Sequence, residues 1–191
     1  MVAEPQTRPR APGRPATIKV APGECHLAGA GEVLVTTLGS CIAACVRDPT
    51  LGVGGMNHFL LPDAGGLTAS DAGTRYGAYA MEHLINAVLK LGGRRQRLEV
   101  KVFGGGQMTV HMAHIGAGNV AFVRAYLARE GLTVAGADLG GHWPRIVRFE
   151  PATGRARIKR LPAMVGELDR AEQALLRRNS IRRDAGEVEL F

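Results

Sequence analysis

The sequence predicts an α/β fold of the α+β kind, in which flanking helices cover mixed β-sheets. Short apolar runs rich in β-branched residues recur through the middle of the chain, and two stretches between them have helical periodicity. Glycines and prolines separate these segments, as they do at the ends of strands and helices. The chain has 191 residues, 46% of them hydrophobic and 21% charged, which is the composition of a globular domain with a substantial core.

The chain divides into three predicted parts. Residues 1–16 hold four prolines and three arginines without a hydrophobic pattern, which predicts a disordered basic tail. Residues 17–163 carry the strand and helix signals and form the predicted folded domain. Residues 164–191 are rich in charge and predict a helical extension. No apolar stretch follows the basic N-terminus and no apolar run could span a bilayer, so we expect a cytoplasmic protein.

The first half of the predicted domain contains four strands and one helix. TIKV starts at Thr17, and GEVLVTTLGSCIAACVRD holds two apolar runs on either side of residues 38–40. GVGGMNHFLLP is a further strand that ends at Pro62. The helix that follows is stopped by the glycine pair at 92–93. Its predicted apolar face consists of Tyr76, Tyr79, Ala80, Leu84, Ala87, Val88 and Leu91.

The second half contains four strands and a second helix. LEVKVFGGG is a strand that runs into a glycine loop at 104–106. The helix is predicted from about residue 120 to 130, with Asn119 as its N-cap and Gly131 as its C-terminal glycine. LTVAGAD, RIVRFE and RARIKRL predict the remaining strands, and PATG predicts a hairpin turn between the last two. The helix face consists of Val120, Val123, Tyr126 and Leu127.

Cys41 is a candidate nucleophile because it follows a Gly39-Ser40 turn that can expose its thiol and present backbone N–H groups to an oxyanion. The structural alternative is a buried small hydrophobic residue, as most free cysteines are. Cys45 lies within an apolar strand and is expected to be buried. Cys25 and its neighbour His26 should point to opposite faces of a strand, so they do not form a ready catalytic pair.

His58 is the candidate base. The short turn at 48–51 can join two antiparallel strands, so that Cys41 and His58 come together across a hairpin. A histidine hydrogen-bonded within the core is the alternative. The Gly104-Gly105-Gly106 loop lacks the residues of a phosphate-binding motif, and it predicts a close backbone approach, either for packing or beside an active site.

The charge pattern and the spacing of possible metal ligands argue against several functions. The net charge of +7 favours an acidic partner, but the arginines gather at the two ends of the chain, which disfavours nucleic-acid binding. Three cysteines do not predict a disulfide framework, and Cys41 and Cys45 lack a second pair at zinc-site spacing. His111 and His114 lack a third ligand, whereas His83 is expected to be structural. We therefore expect neither a metal nor an organic cofactor.

Several stretches, in order, resemble the CheD family of chemoreceptor glutamine deamidases. They are TTLGSCIAACVRDP, GGMNHFLLP, RYGAYAMEHLINAVLKLGG, KVFGGGQM and DLGG followed by TGRARIKRL, and the resemblance covers residues 18–162. It implies a layered α/β fold and the conversion of receptor glutamines to glutamates, which can then be methylated. It also implies a regulatory partner similar to the phosphatase CheC.

By the same resemblance, Cys41 is the nucleophile, His58 the general base, and Thr36 the third member of the site, with Thr37 as the alternative. Gly39, Ser40, Gly104 and Gly105 would support the oxyanion or the surrounding loops. The chain departs from the family pattern at 115–119 and at 142–144, where it has IGAGN and HWP. Three other functions stay open: a transferase that uses an amine in place of water, a chemotaxis adaptor without catalysis, and a nucleic-acid binder.

Overall fold

The computed structural model describes residues 15–61, 71–107 and 110–162, together with Ala174. Almost all of the predicted tail at 1–16 and of the predicted extension at 164–191 lies outside these residues. No helix within the described ranges is long and apolar enough to cross a bilayer.

Two mixed β-sheets form the centre of the fold. The strands are β1 Ala16–Lys19, β2 Cys25–Ala28, β3 Glu32–Leu38, β4 Ile42–Asp48, β5 Val53–Asn57, β6 Glu99–Gly104, β7 Val134–Leu139, β8 Arg145–Glu150 and β9 Arg155–Arg160. In the first sheet the strand order is β1-β3-β8-β9; β1 and β3 are parallel, and the other pairs are antiparallel. In the second sheet the order is β2-β5-β4-β6-β7, and only β6 and β7 run parallel among the described pairs.

Two long helices, α1 (Asp71–Lys90) and α2 (Val110–Arg129), pack on the second sheet, and a short 3₁₀ helix spans Arg95–Arg97. The predicted α+β fold class is therefore confirmed. Its layers are visible in β4, whose side chains alternate between two cores. Ile42, Ala44 and Val46 face the helices, whereas Ala43 and Cys45 face the first sheet. The core between the two sheets includes Leu34, Leu38, Cys41, Ala43, Cys45 and Phe149.

The predicted apolar face of α1 is wrong in part. Tyr79 is 66% exposed and Leu91 is 50% exposed, and Tyr79 stacks on the exposed ring of His83 at 5.9 Å. Successive helical residues are about 100° apart, so Tyr79 lies far around the helix from Met81, which anchors the buried face. That face consists of Met81, Leu84, Ile85 and Val88.

The predicted start of α2 is also wrong, because the helix begins at Val110 and Asn119 lies in its middle, not at its N-cap. Gly116, which precedes the predicted start of the helix, has a packing role. A Cβ atom on Gly116 would lie 2.4 Å from the carbonyl oxygen of Gly106 and 2.9 Å from that of Gly105. Glycine therefore allows α2 to approach the glycine loop closely, at a modest cost in helix propensity.

Both predicted hairpins are confirmed. Strands β4 and β5 pair in antiparallel fashion, and Asp48 at their turn accepts hydrogen bonds from the backbone of Thr50 and from Arg97. Strands β8 and β9 pair across the turn that contains Gly154, whose φ of 72° favours glycine. The first of these hairpins carries the residues of the candidate site.

Candidate active site

The register of β4 and β5 places Cys41 and His58 on the same face. Cys45 lies opposite Met56, and Ile42 forms a bridge with Phe59 through two backbone hydrogen bonds of 2.9 Å. Continuation of this register makes Cys41 and His58 diagonal neighbours, a relation in which side chains of two strands can interact. Both lie in the layer between the sheets, where Cys41 is 0% and His58 3% exposed.

Thr36 holds the imidazole of His58 from the first sheet. The Oγ1 atom of Thr36 is 2.8 Å from His58 Nδ1 and 2.7 Å from the carbonyl oxygen of Val20. A carbonyl accepts but cannot donate, so the single hydroxyl proton of Thr36 is directed to Val20. The hydroxyl must then accept a hydrogen bond from His58 Nδ1–H. In the neutral ring this leaves Nε2 unprotonated, with its lone pair able to accept a proton.

The environment of His58 keeps the imidazole neutral. Desolvation lowers its pKa from 6.5 to about 4, and the opposing effects of the Val20 backbone and the Glu24 charge are smaller. Within the described part of the chain, Nε2 is buried without a hydrogen-bond partner. The unprotonated nitrogen of this neutral histidine can accept the proton of a thiol, although the lowered pKa makes it a weaker base than a solvated imidazole.

The alternation of β3 separates the two candidate threonines. Thr36 faces His58, whereas Thr37 lies opposite Ile146 on the other face of the strand. Geometry therefore brings Thr36, and not Thr37, to the imidazole.

The other two thiols lie in environments that suppress ionisation. Burial raises the pKa of Cys25 to about 11 and that of the fully buried Cys45 further still. Cys45 shares the inter-sheet core with Cys41, as the alternation of β4 predicts, and it packs there as an apolar residue.

The glycine loop holds the turn that carries Cys41. Gly105 N–H donates to the carbonyl of Cys41 at 2.8 Å, and Gly106 N–H donates to that of Gly39 at 2.7 Å. A Cβ atom on Gly104 would lie 2.0 Å from the oxygen of Cys41, and the φ of 112° at Gly104 also favours glycine. The loop therefore lies beside the site and packs tightly against it. Gly104 and Gly105 support the turn, but the Gly105 N–H is engaged by Cys41 and does not point at an oxyanion.

A second loop, at 140–144, supports the glycine loop in turn. Gly140 N–H donates to Gly104, and Gln107 N–H donates to Gly141, each at 2.8 Å. The fully buried Arg145 donates to backbone carbonyls of this second loop, including that of Gly140. Trp143 lies under the guanidinium of Arg160 at 4.5 Å. The HWP segment thus belongs to a loop that packs behind the glycine loop, which in turn holds the Cys41 turn.

Two buried asparagines near the site were missed or misassigned from the sequence. Asn57 accepts a hydrogen bond from Ala44 N–H at 2.9 Å and donates to the carbonyl of Ala80 in α1 at 2.8 Å. Asn119 bonds to backbone on both sides of the site. The Asn-His pair in GGMNHFLLP was visible in the sequence, but the partners of each amide come from distant segments, which no local pattern reveals.

No group of three or more potential metal ligands occurs among the residues that the structure describes. His114 lies in α2, and the side chain of His111 is outside the described part.

The fold and the site define an α+β protein with a buried cysteine and a threonine-held histidine on one face between two mixed sheets. The family model for CheD chemotactic sensory transduction matches residues 60–160. The chain belongs to the CheD family.

Relatives in this family are similar over most of their length. A protein of Saccharophagus degradans is 47% identical over 183 residues, which is 91% of this chain and 84% of that protein. One of Halorhodospira halophila is 47% identical, with 91% and 83% covered, and one of Caulobacter sp. strain K31 is 52% identical, with 73% and 75% covered. Each is named "Probable chemoreceptor glutamine deamidase CheD".

Proposed function

We propose that this protein deamidates selected glutamine side chains of methyl-accepting chemotaxis receptors, releasing ammonia and leaving glutamate. In this proposal Cys41 is the nucleophile, His58 the general base and acid, and Thr36 the group that orients His58. The relatives named as chemoreceptor glutamine deamidases support the substrate class.

The observation that carries the proposed chemistry is the hydrogen-bond chain from His58 through Thr36 to Val20. This chain selects the tautomer in which Nε2 accepts a proton, and burial keeps the ring neutral at physiological pH. An imidazole fixed by a third group is the arrangement that activates cysteine and serine nucleophiles in unrelated enzymes.

The reaction proceeds in two halves. His58 Nε2 takes the thiol proton of Cys41, and the thiolate attacks the side-chain carbonyl carbon of the glutamine. The tetrahedral intermediate collapses as His58 returns the proton to the leaving nitrogen, which departs as ammonia and leaves a thioester. Water then attacks the thioester while His58 accepts its proton. The C–S bond breaks, the thiol is regenerated, and the product is glutamate.

The backbone around Cys41 would stabilise the negative oxygen of each tetrahedral intermediate. The carbonyls of Gly39 and Cys41 are both held by the glycine loop, which fixes the directions of the peptide groups in the turn. Fixed peptide dipoles need no reorganisation when charge develops, which is the main advantage of a backbone oxyanion site. We assign this role to the Gly39–Cys41 turn, with the loop behind it as support.

Mass spectrometry of receptor cytoplasmic fragments tests this proposal. The intact protein should convert specific glutamines to glutamates and release one ammonia for each conversion, without an added amine. Cys41→Ala should abolish conversion, and His58→Gln should reduce it at least a hundredfold. Cys25→Ala is the matched thiol control and should leave the rate unchanged, since burial suppresses ionisation of that cysteine.

Three results would argue against the proposal. An intact, folded protein that converts no receptor glutamine is not this deamidase, and full activity in Cys41→Ala would exclude the thiol mechanism. Conversion that requires an added amine would indicate a transferase. Binding to a CheC-like phosphatase is a separate expectation from the family resemblance, which co-purification of the two proteins would test.

A further inference from the structure

Asn119 connects the two segments that carry the proposed catalytic pair. It is 0% exposed and lies in the middle of α2. Its Nδ2 atom donates to the carbonyl oxygen of Ser40 at 3.0 Å, and its Oδ1 atom accepts from the N–H of Leu61 at 2.9 Å. Ser40 immediately precedes Cys41, and Leu61 follows His58 by three residues. One rigid amide therefore spans both sides of the site.

The bond to Ser40 completes a set of three. The consecutive carbonyls of Gly39, Ser40 and Cys41 accept hydrogen bonds from Gly106 N–H, Asn119 Nδ2 and Gly105 N–H, respectively. The C=O and N–H of a trans peptide point in opposite directions. By holding the Ser40 carbonyl toward α2, Asn119 directs the N–H of Cys41 away from α2. The position of the thiol and the direction of that N–H are thus set together.

We propose that Asn119 is a positioning residue for the deamidation reaction: it fixes the Ser40–Cys41 peptide and holds the nucleophile in place relative to the segment after β5 that carries His58. This inference rests on the proposed function for its kinetic consequence, but not for its structural one. A primary amide suits the role because it presents a donor and an acceptor at once. A carboxylate of the same shape would keep the acceptor and lose the donor.

A buried asparagine with both hydrogen bonds satisfied also stabilises the fold, which is a purely structural role. The two explanations differ in what they predict for activity at equal stability. Asp48, at the far end of β4 from Cys41, provides the comparison. Its buried carboxylate accepts several hydrogen bonds, and Asp48→Asn should lower stability without touching the Cys41 turn.

The test compares Asn119→Ala with Asp48→Asn and with Asn86→Ala, which changes an exposed asparagine of α1. On a receptor fragment, Asn119→Ala should lower kcat at least tenfold and leave KM within about twofold. Asp48→Asn should keep kcat within about twofold at a similar or larger loss of thermal stability. Equal kcat losses in these two variants at matched stability, or an unchanged kcat in Asn119→Ala, would overturn the inference.

Asn119→Asp provides a second variant that preserves shape. A carboxyl group buried beside a carbonyl oxygen has a raised pKa, and its protonated form restores a donor toward Ser40. The kcat of this variant, relative to that of the unmodified protein, should rise as the pH falls from about 8 to about 6. A ratio that stays flat across this range contradicts a role for the Nδ2 donor.

Alkylation separates this inference from the proposed function. The rate at which iodoacetamide modifies Cys41, followed by peptide mass spectrometry, reports the pairing of the thiol with His58 without any receptor. At neutral pH the alkylation rate should fall in Asn119→Ala and in His58→Gln, because a correctly placed base no longer accepts the thiol proton, but it should not fall in Asp48→Asn. An inactive protein that shows this pattern would refute the receptor deamidase and retain the positioning role. An alkylation profile unaffected by Asn119→Ala would refute the positioning role.

Discussion

Replacement of Thr36 by valine removes the hydroxyl that fixes the tautomer of His58 and changes the shape of the side chain very little. In the intact protein that hydroxyl accepts from Nδ1–H and donates to the carbonyl of Val20. Valine leaves both partners without this bond in a site where His58 is 3% exposed. The ring is then free to rotate or to adopt the other tautomer, in which Nε2 carries the proton and cannot accept one.

The expected fall in kcat of Thr36→Val follows from the free-energy cost of an unsatisfied buried polar group. That cost is about 1–3 kcal/mol per group, and a fully satisfied site avoids it. If the loss appears in the transition state for thiol attack, kcat should fall by roughly 5- to 150-fold. KM should change little, because Thr36 contacts His58 and the Val20 backbone rather than the substrate glutamine.

The assay measures ammonia release from a receptor fragment for Thr36→Val, Thr36→Ser and Thr37→Val. Serine retains the hydroxyl and should keep most of the activity. Thr37→Val changes the neighbouring threonine on the opposite face of β3 and should leave kcat near its original value. If Thr36→Val is folded and retains kcat within twofold, or if Thr37→Val is the more damaged variant, then the hydrogen-bond chain does not orient the base.

Three further predictions concern stability. Asp48→Asn should lower the unfolding free energy by about 2 kcal/mol at neutral pH, because it weakens charge-assisted bonds to Arg97; denaturant titration measures this. Hydrogen bonds hold the pKa of Asp48 below its usual range. The contribution of the Asp48 carboxylate to the unfolding free energy is therefore present above about pH 4 and is lost as the pH falls further. The pKa of His58 is lowered to about 4 in the folded protein, so the unfolded chain binds a proton at a higher pH than the folded protein does. The unfolding free energy should therefore decline by up to about 3 kcal/mol as the pH falls from 6.5 to 4. His58→Gln should make this dependence on pH weaker. Gly104→Ala should destabilise the fold and abolish deamidation, since its Cβ atom would overlap the Cys41 carbonyl; an active, stable alanine variant would contradict the tight packing.

The sequence was most informative where a local pattern also determines the register of two paired strands. Two apolar runs and a short turn were enough to predict the β4–β5 hairpin, and an antiparallel register then decides which face each residue occupies. Cys41 and His58 could therefore be placed near each other from the sequence. Because side chains alternate along a strand, only one of the two adjacent threonines of β3 can face the histidine. Which of them does so depends on how the two sheets pack, which no strand pattern contains.

The errors arose where tertiary contacts override local signals. The glycines of α2 resemble a loop, but Gly116 is required because the helix touches the backbone of the glycine loop. Asn119 resembled an N-cap because asparagine is frequent there, although its hydrogen bonds reach Ser40 and Leu61, which are 79 and 58 residues away. Tyr79 has the hydrophobic character of a core residue, but the buried stripe of α1 is centred elsewhere.

The turn that carries Cys41 takes its shape mainly from main-chain groups. Two of its three carbonyls are held by glycine N–H groups, and the third is held by one amide side chain. The shape of such a turn does not depend on which atom the side chain at position 41 carries. A serine at position 41 would occupy the same location and face the same imidazole, so the protein provides a scaffold on which the reactivity of different nucleophiles can be compared at constant geometry.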